Sequence, residues 1–237
     1  MILYHNHIPR TSGTFIQAPL SGLLTSRGVK YCLIYQADQI DDNLIKSSNH
    51  IFGHMGCYPN TLITDVTQYG IIRNPLDRFI STFKFFTKNI FYTEPTEKIL
   101  EEWLYNPLYI NAHSNLQSKF LTGYSDKDVW NINTRQSRVT NGWFIKDSSI
   151  DLELIKNKIN SGYWASMDNN GLLLDWLSDY HYKLYDFRLY NRRHKINESD
   201  QLPFEIPQSM INRIVELNDI DFSVYEYVKS TELKRFK

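Results

Sequence analysis

The chain has 237 residues, and its 26 Lys and Arg against 26 Asp and Glu leave a formal net charge of zero, which argues against a strong nonspecific polyanion binder. Hydrophobic residues make up 42%, ample for a core; Cys32 and Cys57 are too few for a disulfide scaffold, and no apolar run approaches membrane-span length. The 16 Tyr and 13 Phe come without a basic stripe, so they read as packing and pocket walls rather than a nucleic-acid platform.

The apolar run Ile2-Leu3-Tyr4 reads as a strand leading into His7-Ile8-Pro9-Arg10-Thr11-Ser12-Gly13-Thr14-Phe15. A strand, a tight turn and a helix start, here from about Thr14, set backbone N–H groups and a positive helix end against an anion. Pro19 and Gly22 are expected to kink or shorten that helix. Tyr31 to Tyr35, Ile51 to Gly53 and Gln68 to Arg73 read as further strands. After Arg73, Asn74 is a good N-cap, Pro75 suits the first helical position and Asp77 falls in the first turn. Leu76, Phe79, Ile80, Phe83 and Phe86 then recur at helical spacing, with Ser81 on a face that looks back toward Arg73. An Arg fork plus a hydroxyl is a sensible phosphate grip; the bland alternative pairs Arg73 and Arg78 with carboxylates and leaves Ser81 solvated.

Helices are predicted over Thr96 to Tyr105, His113 to Leu121, Asp151 to Asn160, Asn169 to Tyr180, Pro207 to Leu217 and from about Asp221, with a strand at Tyr163-Trp164-Ala165. Thr122 to Ser149 is polar and without periodicity, and is expected to form loops that shape an acceptor site, or to be partly disordered. No internal repeat or domain boundary stands out, so residues 1–237 read as one α/β domain. Strands alternating with helices predict a three-layer fold, a central, mostly parallel sheet flanked by helices on both faces.

The first motif is similar to a P-loop, with the amides of Thr11 to Thr14 as the phosphate cradle. It departs from the Gly-x-x-x-x-Gly-Lys-Ser/Thr form of nucleotide triphosphatases: Gly13 is followed by Thr14, and the basic residue, Arg10, comes before it. No later strand ends in an obvious metal-binding Asp, with Asp65 left open.

Together these residues resemble the sulfotransferases that use 3′-phosphoadenosine-5′-phosphosulfate (PAPS), in particular the carbohydrate branch that includes the heparan sulfate 2-O-sulfotransferases. That family binds the 5′-phosphosulfate with a Pro-Lys-Thr-Gly/Ser-Gly/Ser-Thr loop, similar to Pro9 to Thr14. It binds the 3′-phosphate with Arg-Asp/Asn-Pro-x-Asp/Glu-Arg-x-x-Ser, similar to Arg73 to Ser81. Phe52-Gly53-His54 resembles the strand end that carries the catalytic His, and Asn115 to Leu121 resembles a helix of relatives. Weaker likenesses are Trp164 to Asp168 and Asn218 to Tyr225.

The resemblance implies transfer of a sulfuryl group from PAPS to an acceptor hydroxyl, on a carbohydrate or small molecule, without a metal and without a nucleic-acid partner. Arg10 stands where the family has Lys; it supplies charge and hydrogen bonds rather than a proton. The implied nucleotide-binding set is Arg10, Thr11, Ser12, Gly13, Thr14, Phe15, Arg73 and Ser81. Arg193 and Lys195 join it from the basic cluster Arg188 to Lys195, where a loop of relatives closes over the nucleotide; the alternative is a solvated surface loop. The expected base is His54, with His113 as second candidate, because a His near neutral pKa suits proton removal from a hydroxyl. His113, Asn115 and Gln117 are acceptor-side candidates, and His5 and His7 are expected to be structural or to line the pocket floor. A strand so near Met1 leaves no room for a signal peptide, so a cytoplasmic, bacterial or viral member is expected. Two other classes stay open: a P-loop kinase or nucleotide hydrolase, and a catalytically silent protein that binds a nucleotide or a glycan.

Overall fold

Apolar strands that alternate with helices give the expected α/β architecture here. The computed structural model describes residues 2–34, 42–53, 66–122, 147–178 and 202–236. Its strands are β1 (Ile2–Asn6), β2 (Tyr31–Ile34), β3 (His50–Gly53), β4 (Val66–Ile72) and β5 (Tyr163–Ser166). They pair in the order β2-β3-β1-β4-β5, every pair parallel, with Asn6 opposite Gly53 and His5 opposite Tyr69. The chain leaves β1 toward β2 on one side and leaves β4 toward β5 on the other. The carboxyl ends of β1 and β4 therefore flank the point where strand order reverses, which is where open α/β sheets bind ligands.

The helices are α1 (Gly13–Ser26), α2 (Asp42–Ser47), α3 (Pro75–Asn89), α4 (Glu97–Tyr105) and α5 (Pro107–His113). They continue as α6 (Leu116–Thr122), α7 (Leu152–Ser161), α8 (Asn170–Trp176), α9 (Gln208–Leu217) and α10 (Asp219–Arg235).

Parallel strands covered on both sides carry apolar side chains on both faces. Leu3, Phe52, Tyr69, Ile71 and Ala165 pack on one face against Ile16, Leu20 and Leu24 of α1 and Leu173 and Trp176 of α8. On the other face Ile72 and Trp164 meet Phe120 of α6, Ile155 and Ile159 of α7 and Val224 and Val228 of α10. Tyr4, Cys32, Ile34 and Ile51 extend that face to Ile45 of α2. Gly70 makes this second face possible, because a Cβ there would lie 2.6 Å from the Trp164 ring and 2.8 Å from the Asn6 carbonyl oxygen. A third cluster joins α3, α4 and α9 through Phe79, Phe83, Trp103 and Ile214.

Two expectations need correction. α1 is not shortened at Pro19 or Gly22 and runs from Gly13 to Ser26; a proline removes one donor, and the buried stripe Ile16, Leu20 and Leu24 outweighs that loss. His113 to Leu121 is not one helix. The chain turns at Ser114 and Asn115, where Asn115 has φ 44°, a left-handed conformation that Asn tolerates better than most residues. α5 before this turn was not anticipated; it starts at Pro107 with the Asn106 side chain accepting the Leu108 amide at 3.0 Å. Tyr35 and Tyr180, the expected ends of two elements, lie outside the described residues, as do residues 123–146 of the polar stretch.

Candidate functional site

The segment after β1 is built on a backbone that few non-glycine residues adopt. Arg10 has φ 65° and Ser12 φ 68°. Each left-handed residue costs on the order of 1–2 kcal/mol, and such strain persists where the surroundings over-determine it. The amide and hydroxyl of Thr11 both donate to the Ile8 carbonyl, at 3.3 and 2.9 Å. Thr11 is therefore spent on the turn, and the cradle narrows from the expected Thr11 to Thr14 to the start of α1. Ser12, the N-cap of α1, makes no side-chain cap; its hydroxyl donates instead to Sδ of Met167 at 3.4 Å. No acidic residue occupies the first turn, so the positive end of α1 keeps its character.

Gly13 is dictated by what lies beneath it: a Cβ would fall 1.7 Å from Cδ2 of His7. The His7 ring lies parallel to His5 at 5.7 Å, and His5 stacks on Tyr69 at 4.9 Å. The two histidines form the floor under the loop. Thr14 is exposed on α1, whereas the side chain of Phe15 lies outside the described residues.

The segment after β4 starts its helix as local chemistry predicts. Asn74 accepts the amides of Leu76 and Asp77 at 3.0 and 3.4 Å, Pro75 opens α3 and Asp77 sits in the first turn. This corrects the expectation that both helix starts face an anion. The amides at the α3 terminus are satisfied by Asn74, so what this segment offers an anion is side chains.

Those side chains converge on the first segment. Nε of Arg10 donates to Oγ of Ser81 at 3.0 Å, and Nη1 of Arg73 donates to the Arg10 carbonyl at 3.4 Å. The Arg10 guanidinium also lies over the Phe85 ring, 5.1 Å from its centroid. Ser81 is buried, not solvated. Nε of Arg73 is buried and has no hydrogen-bond partner among the described residues, an arrangement that costs about 1–3 kcal/mol and that an anionic oxygen would relieve.

Arg73 is held by a polar network that reaches α10. The Gln117 amide brackets the Arg73 backbone: Oε1 accepts its N–H at 2.8 Å and Nε2 donates to its carbonyl at 2.9 Å. Asp221, from α10, caps α6 by accepting the Gln117 amide at 3.1 Å, the Ser118 amide at 2.7 Å and the Ser118 hydroxyl at 2.6 Å. Asn115, from the start of α6, caps α10 in return, its Oδ1 accepting the amides of Ile220 and Asp221 at 3.0 and 3.1 Å. Arg78 lies fully buried beside them, its Nη2 donating to the His113 carbonyl at 2.9 Å and to Oδ1 of Asn218 at 2.7 Å, with Asp221 at 4.0 Å. Burial, with Arg73 nearby, brings its pKa down to about 10 against the pull of Asp221, so it stays charged at neutral pH.

Asn115 and Gln117, expected on the acceptor side, are thus tied into helix caps and the Arg73 backbone. His113 is only 3% exposed; its ring stacks on Trp103 at 4.4 Å and meets the edge of Phe86 at 5.1 Å. Burial first, then the cations of Arg78 and Lys119, push its pKa down to about 3. A packed, neutral ring inside an apolar cluster is not offered to an acceptor hydroxyl.

The unfolded chain protonates His113 below its ordinary value of 6.5, whereas the folded protein resists until about 3. The unfolded state binds the extra proton, so this residue's contribution makes stability fall as pH drops through that window, by up to about 1.4 kcal/mol per pH unit. In denaturant titrations between pH 6.5 and 4, His113→Phe is expected to flatten the slope by that amount. An unchanged slope would mean that His113 titrates normally.

His54, Arg193 and Lys195 lie outside the described residues. Arg78, Met167 and Asp221 lie in segments the sequence reading quoted without naming them as site residues; Phe85 lies outside those segments, one helical turn beyond Ser81 on the same face. Among the described residues, no group of three or more His, Cys, Asp or Glu is placed to hold a metal ion, and no helix is long and apolar enough to cross a membrane. No family model and no curated protein matches this chain. In chemical terms, two guanidiniums, a buried hydroxyl and an open helix terminus at a strand-order switch point suit a ligand with two anionic groups.

Proposed function

We propose that this chain is a sulfotransferase that moves the sulfuryl group of PAPS onto an acceptor hydroxyl, a carbohydrate hydroxyl by the motif resemblance. The observation that supports this most is the meeting of Arg10, Arg73 and Ser81 at the carboxyl ends of β1 and β4. PAPS carries anionic groups at its 3′ and 5′ positions. The start of α1 with Arg10 would hold the 5′-phosphosulfate, and Arg73 with Ser81 the 3′-phosphate. The orphan donor on Arg73 and the loop that Gly13 lets settle onto His7 fit such a ligand. A triphosphate cleaved with Mg²⁺ is the poorer fit, since no Lys follows Gly13.

PAPS supplies an activated sulfuryl group on a phosphate leaving group that is already a weak base. The acceptor oxygen forms a bond to sulfur as the sulfur–oxygen bond to phosphate breaks. The electron pair stays on the departing phosphate, and the acceptor proton passes to a base. Arg10 stabilises the charge that develops without giving up a proton. His54, which directly follows Gly53 at the end of β3, is the assigned base.

The test is transfer of labelled sulfate from PAPS to a panel of glycans in the presence of EDTA. Transfer is expected with EDTA present, and His54→Ala should lower turnover about a hundredfold or more while still binding 3′,5′-bisphosphoadenosine. Phosphoryl transfer from ATP that needs Mg²⁺ would overturn the reading, and full activity in His54→Ala would remove that residue as the base.

A further inference from the structure

The Arg10 side chain is held at two points on one face of α3: its Nε donates to Ser81, and its guanidinium lies over Phe85, four residues further on. Residues at that spacing are neighbours on a helix surface. Phe85 is 37% exposed, so its ring forms the rim of the site rather than part of the core. A guanidinium is planar, carries an Nε–H and stacks on aromatic faces. A lysine ammonium donates only from its tip and has no plane to lie on the ring while it bonds Ser81. The Phe85 contact therefore rewards the residue this chain has at position 10.

We propose that Phe85 is a positioning residue for Arg10, a partner matched to arginine that orients the guanidinium toward the 5′ group of the bound nucleotide. This rests on the donor-site reading above. Phe85 touches no reacting atom in this role; it acts through Arg10.

The matched pair predicts non-additivity. With 3′,5′-bisphosphoadenosine as calorimetric probe, Phe85→Leu is expected to weaken binding roughly three- to fivefold, and Phe85→Trp to stay within about twofold of wild type. In an Arg10→Lys background, Phe85→Leu should change the affinity by less than about twofold. A structural role for the ring alone would give the same loss in both backgrounds, and that result overturns the proposal.

A second readout needs no nucleotide. The Arg10 Nε–H resonance of the full chain should show a ring-current shift that disappears in Phe85→Leu. A signal indifferent to Phe85→Leu overturns the pairing whatever the nucleotide does. A Phe85-dependent signal in a protein that binds no bisphosphate nucleotide overturns the donor-site reading, and the positioning role with it.

Discussion

Arg10→Ala is expected to lower sulfuryl transfer by at least about a hundredfold, with Arg10→Lys within about tenfold of wild type. The alanine variant loses a positive charge two residues before the N-cap of α1 and the hydrogen bond that joins the loop to Ser81. It keeps the Arg10 carbonyl that Arg73 uses, so the link between the two backbone segments survives. The loss should therefore fall on kcat, with the melting temperature close to wild type. Lysine restores the charge and loses the stacking plane, which is why it retains activity but not all of it. The measurement is kcat and KM for PAPS with the three proteins side by side. A fully active alanine variant would show that Arg10 has no part in the chemistry.

The second large effect is on folding. Asp221→Ala is expected to destabilise the protein by about 3–5 kcal/mol in urea titrations, the usual result of stripping one partner from a buried ion pair. Arg78 is fully buried and would keep its charge with its carboxylate gone. The amides of Gln117 and Ser118 would lose their acceptor at the same time. Asp221→Asn keeps an oxygen for those amides but not the charge, so its loss should be smaller, about 1–3 kcal/mol. Because Gln117 brackets the Arg73 backbone, both variants should also bind the bisphosphate nucleotide more weakly. A loss below about 1 kcal/mol for the alanine variant would mean that water or another group takes over the cap.

The parts of this fold that short-range chemistry controls were readable from the sequence. Asn74, Pro75 and Asp77 announce the start of α3, and that start forms as read. The strands at Ile51 to Gly53 and Tyr163 to Ala165 lie within observed β3 and β5, and the sheet is parallel as alternation with helices implied. The parts that depend on partners distant in sequence were not readable. Asn115 and Asp221 each cap the other's helix across more than a hundred residues, and no local pattern encodes that exchange. The same exchange accompanies the break of His113 to Leu121 in two, with Asn115 reaching Ile220 and Asp221 from the left-handed turn. The two helix starts differ by one side chain that no local pattern separates: Ser12 turns to Met167, whereas Asn74 folds back on its own helix. Arg78 shows the opposite failure. Its pairing with a carboxylate was foreseen as the bland case, but its complete burial, which makes it a pillar of the site, was not.

In the proposed reading the two segments form one site for a nucleotide phosphorylated at both ends. Calorimetric binding of 3′,5′-bisphosphoadenosine, beside 5′-AMP, ADP and ATP with Mg²⁺, and repeated in EDTA, tests it most directly. Tight binding that requires the 3′-phosphate and is unaffected by EDTA is expected. Equal affinity for 5′-AMP, or a preference for ATP with Mg²⁺, would contradict it.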